Sequence, residues 1–318
     1  MLRGKRVVVT GGAGFIGSHI VDRLAASNDV RVLDNLAVGR LQNLAHAKDR
    51  VEVVKGSILD SKALERGLRD ADVVLHLAAL TSVPESMEHP LAYAEANVMG
   101  TLNVLTAAQE AGAGRVVFAS TCAVYGRTPG ALREDAPPDP LSPYAVTKLA
   151  CEYFCRTAAE AGNVEAVALR LFNVYGPRQA ADSPYASVVA KFCQAATRGT
   201  PVILFGDGSQ TRDFVYVGDV AEAFDRAATS ARAVGQVMNV GSGVETSIAD
   251  LIRIVGELRG RPLEVTRKAA REGEVPRSRA DPSKARSFIG FESNVPLREG
   301  LRKTLATWTE GVGPTGGR

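Results

Sequence analysis

Tyr144 and Lys148, in Ser142-Pro143-Tyr144-Ala145-Val146-Thr147-Lys148, form the only Tyr-x-x-x-Lys spacing in this 318-residue chain. Pro143 suits the first turn of a helix, and residues i and i+4 project from one helix face. A phenol with a pKa of about 10 is a poor base at neutral pH. A neighbouring ammonium favours the phenolate, so the spacing predicts a tyrosine general base with a lowered pKa. Taken alone, the pair could equally be a surface helix pair. A second feature favours chemistry. The run Val116-Val117-Phe118-Ala119-Ser120-Thr121 is apolar and then delivers two hydroxyls at its end. Open α/β sheets place ligands at the carboxyl ends of their strands, so Thr121 is predicted to hydrogen-bond the oxygen that Tyr144 deprotonates.

The electron acceptor that such a base needs is suggested near the start of the chain. Val7-Val8-Val9-Thr10-Gly11-Gly12-Ala13-Gly14-Phe15-Ile16-Gly17 puts Gly11, Gly14 and Gly17 at a strand-to-helix turn. The first glycine permits the turn, the second admits a pyrophosphate to the backbone, and the third lets helix and strand lie close. The helix start then faces the phosphates with its positive end. Asp34 ends the next strand, where an acid binds the adenosine ribose and repels a 2′-phosphate, so NAD is expected rather than NADP. Neither Arg31 nor Arg40 is placed as a 2′-phosphate partner. A P-loop is excluded, because Ser18 and His19 follow the glycines in place of Lys and Ser/Thr. An oxidised nicotinamide would add its positive charge to that of Lys148. Lowering the tyrosine pKa by roughly three units takes about 4 kcal/mol of differential stabilisation, reasonable for two cations in a cleft of low dielectric.

The elements that must position these residues follow from periodicity. Short β-branched runs at residues 7–10, 30–33, 51–54, 73–78, 115–120 and 164–171 alternate with amphipathic or Ala-rich segments at 16–26, 62–68, 97–111 and 143–161. Such alternation predicts an α/β fold, a Rossmann-type doubly wound parallel sheet with helices on both faces. After Pro177 the strands shorten (202–205, 214–217, 237–240), and Pro, Gly and charges become frequent. Residues 1–176 are therefore expected to form the dinucleotide-binding domain. Residues 177–318 are expected to form a smaller mixed α/β substrate domain, interleaved with the first through a return strand near 236–240.

Composition excludes other classes. A hydrophobic content of 45%, a charged content of 23% and a net charge of +3, with no basic run, give no footprint for nucleic acid. No apolar run is long enough to span a bilayer, and residues 7–9 are too short for a signal-peptide core. The four cysteines include no Cys-x-x-Cys pair and no accompanying His cluster, so no metal site is expected. Cys151 and Cys155 lie one helical turn apart and read as packing residues, which points to a reducing cytoplasm.

Together these motifs resemble the extended short-chain dehydrogenase/reductase family, and within it the UDP-sugar 4-epimerases. Further matching segments are Asp34-Asn35-Leu36, His76-Leu77-Ala78-Ala79, Val124-Tyr125-Gly126, Arg170-Leu171-Phe172-Asn173-Val174-Tyr175-Gly176-Pro177 and Arg212-Asp213-Phe214-Val215-Tyr216-Val217, spread from about Lys5 to Trp308. The resemblance implies that NAD stays bound, that Tyr144 takes the proton from a sugar 4-hydroxyl as hydride leaves, and that Thr121 is the catalytic Ser/Thr. The 4-keto sugar then turns over and hydride returns to its other face. To the cofactor the resemblance assigns Gly11, Gly14, Phe15, Ile16, Gly17, Asp34, Asn35, Ser57, Ile58, Leu77, Ala78, Ala79 and Asn97, besides Tyr144 and Lys148. To the UDP-sugar it assigns Ser82, Thr121, Tyr144, Asn173, Ser187, Val188, Arg212, Arg271, Glu274 and Ser278. Arg212 would pair with phosphate, a task suited to a guanidinium, and Arg271 and Glu274 would hold the nucleotide ribose. Some positions depart from the family pattern. Ser57 stands where Asp is frequent, Glu274 replaces the commoner Asp, and Thr81 replaces a Lys of some members.

Relatives diverge at recognisable positions. In the 4,6-dehydratases Asp-Glu follows the catalytic Thr, whereas Cys122 and Ala123 follow Thr121 here. UDP-glucuronate decarboxylases and uronate 4-epimerases, the alternative reading, usually carry another residue at the position of Asn173. A non-catalytic NAD-binding protein would be expected to lose the Tyr–Lys pair. Ser278 aligns with a gate that a bulky Tyr narrows to plain hexoses. A small Ser there implies that UDP-GlcNAc and UDP-GalNAc are accepted beside UDP-glucose and UDP-galactose. By the same analogy a homodimer would form through helices around 97–111 and 143–161.

Overall fold

The computed structural model describes residues 1–181, 186–270, 273 and 275–309. Its centre is a seven-stranded sheet of β1 (Arg6–Thr10), β2 (Asp29–Asp34), β3 (Val51–Lys55), β4 (Val73–His76), β5 (Arg115–Thr121), β6 (Glu165–Leu171) and β7 (Val237–Val240). The order is β7-β6-β5-β4-β1-β2-β3, and every pairing is parallel. This is the expected doubly wound α/β fold, with the return strand at its edge.

The β-branched runs form strands because both faces of the sheet are covered. Val7 and Val9 enter one core, beneath helices Phe15–Leu24 and Val217–Ala227. Val8 points the other way, into the core under Ser61–Leu68, Gly100–Glu110 and Pro143–Glu160. Helix starts are fixed locally. Asp60 accepts hydrogen bonds from Lys62 N at 2.9 Å and Ala63 N at 3.3 Å. Ser142 Oγ accepts from Ala145 N at 3.2 Å, with Pro143 in the first turn that follows.

The helix expected over 97–111 begins differently. A π-helical stretch, Ala94–Met99, precedes Gly100–Glu110. Its wider turn carries Asn97 inward, where the amide bonds to both backbone groups of Leu80.

A second core forms from Tyr175, just before Pro177, and from Phe192, Phe214, Leu251 and Leu301 beyond it. It lies among helices Val188–Arg198, Ile248–Leu258 and Leu297–Thr309 and the three strands Asn173–Tyr175, Thr211–Tyr216 and Glu245–Ser247. The strand expected at 214–217 runs over Thr211–Tyr216 instead, which places Arg212 within it. Helices Val217–Ala227 and Ser283–Ile289 pack on the main sheet, so the later half of the chain contributes to both cores.

Candidate active site

The strand order reverses between β1 and β4, where Thr10 lies opposite His76, the place where doubly wound sheets form a ligand crevice beyond their carboxyl ends. Gly11 has a φ of +69°, and a Cβ there would fall 2.8 Å from Ala78 N, so only glycine fits against the Leu77–Ala78 backbone. A Cβ on Gly17 would meet Gly11 O at 2.3 Å, so the helix can approach the turn only without a side chain. Gly14 is the extended N-cap of Phe15–Leu24 and supplies no side-chain cap. The positive helix end, with Phe15 and Ile16, is thus open to an anion. Asp34 is buried at the end of β2, where Oδ2 accepts from Ala13 N at 2.9 Å and Oδ1 from Leu36 N at 2.8 Å. Each oxygen keeps a further lone pair.

Around this cradle, Asn35 is exposed and bonds Ala37 N through its own Oδ1. Ser57 accepts from Leu59 N, and the Ile58 carbonyl from Asn103 Nδ2. Leu77 N and Ala78 N both lie within 3.3 Å of Thr10 Oγ1, and Ala79 is half-buried beside them. The side-chain amide of Asn97 is filled by protein groups, with Oδ1 accepting from Leu80 N and Nδ2 donating to Leu80 O and Thr147 Oγ1. In this structure Asn97 therefore positions the loop after β4 on the helix that carries Tyr144. The cradle fits a dinucleotide: an open helix end, a glycine-only approach and an acid at the end of β2 are all in place.

Sequence reasoning met His76 only within a matching segment and gave it no role. Its Nδ1 lies 2.7 Å from Thr10 Oγ1 and its Nε2 lies 3.0 Å from Thr101 Oγ1. Burial, with Lys148 nearby, lowers its pKa to about 3. His19 is lowered to about 4, also chiefly by burial, with Arg178 adding to it. Both imidazoles are neutral in the fold and would take a proton near pH 6.5 when unfolded. Above that pH neither state is charged. As pH falls from about 6.5 towards 4 the unfolded chain alone gains protons, so stability drops by about 1.4 kcal/mol per histidine per unit. Denaturation midpoints measured from pH 7 to 4 are expected to fall, and less steeply in His19→Gln.

Tyr144 and Lys148 lie on one face of helix Pro143–Glu160, as their spacing predicts. The expected effect of Lys148 on Tyr144 is not present. Lys148 Nζ donates to Ala119 O at 2.9 Å and lies 4.7 Å above the Phe118 ring, facing β5 and not the phenol. Burial pushes Tyr144 up to about 12, against the opposing pull of a hydrogen bond with the Thr121 hydroxyl. Burial also pushes Lys148 down to about 8, with Glu152 opposing. Burial dominates the free phenol, and the further pull of an oxidised nicotinamide belongs to the loaded site. Tyr93 meets Tyr144 edge to face at 6.4 Å and donates its own hydroxyl to Glu85. Ser82 N donates to that hydroxyl, while Ser82 Oγ caps the short helix Val83–Glu88.

Near Tyr144 lies the half-buried Cys122, whose thiol is pushed up to about 11 by desolvation and the Asp213 charge. Ser278, buried, lies close enough to oppose that rise slightly. Asp213 fixes this wall, accepting from Ser242 N, Ser242 Oγ, Gly243 N and Ala280 N at 2.6–3.0 Å. Asn173 Nδ2 donates to Asp213 O at 3.1 Å. Arg212 is placed by hydrogen bonds of 2.8 Å to Thr211 O and Val275 O. Ser187 caps helix Val188–Arg198 through Ala190 N. Arg271 and Glu274 lie outside the described residues. Cys122 and Asp213 were signalled only by being neighbours of Thr121 and Arg212.

Behind the site, Ser120 Oγ donates to Glu152, whose carboxylate takes Arg170 Nε at 2.9 Å and Nη2 at 2.7 Å. The guanidinium stacks 4.6 Å over Tyr125, which donates to Asn239 at 2.7 Å. Among the described residues there is no metal-binding cluster of His, Cys, Asp or Glu, and no helix is long and apolar enough to cross a membrane.

The NAD dependent epimerase/dehydratase family model matches residues 7–241. The UDP-glucose 4-epimerase of Mycolicibacterium smegmatis is 42% identical over 94% of this chain and 97% of its own. A UDP-N-acetylglucosamine 4-epimerase from Methanobrevibacter ruminantium, solved with UDP-N-acetylmuramic acid, superposes with a TM-score of 0.93 at 38% identity, covering 98% of this chain and all of its own. The Thermus thermophilus UDP-glucose 4-epimerase, solved with NAD, gives 0.87 at 39% identity over 95% and 98% of the two chains. With a glycine cradle and acid suited to NAD, and a Thr–Tyr–Lys set at the same crevice, this chain belongs to the NAD-dependent epimerase/dehydratase family.

Proposed function

We propose that this chain is a UDP-sugar 4-epimerase that inverts a sugar carbon without net redox change. The observation that carries the reading is that Thr121, at the carboxyl end of β5, and Tyr144, on the helix packed against that strand, come together beside the dinucleotide cradle. Gly11, Gly14, Gly17 and Asp34 would hold NAD, which when bound supplies a hydride acceptor that also returns the hydride. Tyr144 takes the proton of the 4-hydroxyl and later gives it back. Thr121 orients that oxygen, and Lys148 brings a buried cation to the same face of the helix. Cys122 and Ala123 offer no acid or base for dehydration. Arg212 and Asn173 suit the diphosphate, Ser187 and Val188 lie at a helix start fit for an anion, and Arg271 with Glu274 would take the nucleotide ribose.

The test is product analysis by NMR after incubation with each UDP-sugar, without added NAD. An equilibrium pair of 4-epimers supports the assignment; a decarboxylated or dehydrated product overturns it. Ser278, small and beside Cys122, supports the reading that the 2-acetamido sugars are substrates as well as the hexoses. Ser278→Tyr is expected to abolish UDP-GlcNAc turnover and leave UDP-galactose turnover largely intact; equal loss of both would sink the idea.

A homodimer is part of the proposal. Met87, Leu91, Met99, Val146 and Tyr153 expose apolar surface near the helices expected to pair. The four free cysteines suit a reducing cytoplasm.

A further inference from the structure

Arg178 has a backbone that L-residues seldom adopt, with a φ of +67°, and a side chain that reaches back to the cofactor domain. Its Nη1 donates to Asn43 O at 2.7 Å. Its Nη2 donates to Asp22 Oδ2 at 2.5 Å and lies 3.1 Å from His19 Nδ1. Arginine can only donate, so His19 Nδ1 accepts and its Nε2 carries the hydrogen, which points at Pro177 O at 3.0 Å. His19 and Asp22 belong to Phe15–Leu24, the helix whose start faces the dinucleotide cradle.

Asn43 lies on the loop that closes over Asp34. That loop is stitched to the Gly-rich turn, since Ala13 O accepts from Arg40 N at 2.9 Å and from Asn43 Nδ2 at 2.8 Å. At Gly39 a Cβ would come within 2.8 Å of the Asp34 carboxylate, so the loop covers the acid closely. The same guanidinium therefore grips the loop over the ribose end, the helix facing the pyrophosphate, and the segment that leaves Asn173 for the sugar side. We propose that Arg178 is a cofactor latch, which holds these three segments together and slows the escape of NAD between turnovers. The left-handed backbone at Arg178 sends its one side chain from its own segment to both of the others. Asp22 is the anionic half of the latch and keeps the guanidinium in place.

The test reads the cofactor alone, so failure of the epimerase assignment leaves it intact. Wild type, Arg178→Met and Asp22→Asn are purified without added NAD. Bound NAD is then extracted and counted, and its release is followed in the presence of an NAD-destroying glycohydrolase, well below each variant's melting temperature. Arg178→Met is expected to release NAD at least about tenfold faster, the scale of one lost charge-assisted hydrogen bond, and to purify with less of it. Asp22→Asn should do the same to a smaller degree. Should Arg178→Met fail to fold, Asp22→Asn and Arg178→Lys decide the matter. Release at the wild-type rate, with or without a lower melting temperature, overturns the latch.

Discussion

Tyr144→Phe is expected to lower kcat by about 10³-fold while leaving KM and bound NAD little changed, as for a general base whose ring still fills its place. The substitution removes one oxygen. The ring keeps its edge-to-face contact with Tyr93, and Lys148 keeps its bond to Ala119 O, because neither involves the hydroxyl. What is lost is the proton acceptor beside Thr121. Steady-state kinetics with UDP-galactose, alongside extraction of bound NAD, separates this from a binding defect. A variant within tenfold of wild type would remove Tyr144 from the chemistry. With the pKa near 12 before ligands arrive, the phenolate has to be stabilised within the loaded site. Activity therefore depends on the cations brought there, and not on a tyrosine already ionised in the free protein.

The largest effect on stability is expected from Arg170→Met. Arg170 and Glu152 are both nearly out of reach of solvent, with side chains 5% and 4% exposed. Removing the guanidinium strands a carboxylate between β5 and the catalytic helix, with Ser120 as its remaining hydrogen-bond donor. Breaking a buried pair from one side costs about 3–5 kcal/mol. Thermal or urea denaturation should register a midpoint lower by roughly 5 °C or more. Glu152→Gln in the same chain should restore much of the loss, because the uncompensated charge then disappears. A loss below about 1 kcal/mol in the single variant would mean that the pair is not a structural brace.

What could be read in advance was the chemistry written within one turn of chain. Gly11 to Gly17 is a strand, a turn and a helix start, so its meaning is local, and the same holds for Tyr144 and Lys148. The parallel sheet followed from its alternation, and the return strand at 237–240 from its apolar run. The missing parts all depend on which strand lies beside which. His76 meets Thr10 only because β4 neighbours β1. Asp213 gathers Ser242, Gly243 and Ala280 across 29 to 67 residues. Glu152 and Arg170 pair because the catalytic helix lies over β6. The raised pKa of Tyr144 in the free protein has the same origin: burial is a property of the packed site, whereas the spacing revealed only a neighbouring charge.

The return strand also bears on how the protein is made. β7 pairs with β6 through Val237 opposite Ala168 and Val240 opposite Leu171. During synthesis β6 therefore leaves the ribosome long before its partner, with one row of backbone groups unpaired and its apolar faces already in place. Translation proceeds at roughly 5–20 residues per second, so that bare edge persists for several seconds at each passage. A nascent chain stalled between β6 and β7 is a ready template for strand pairing with its neighbours. The fold closes its own sheet only when nearly three quarters of the chain has emerged.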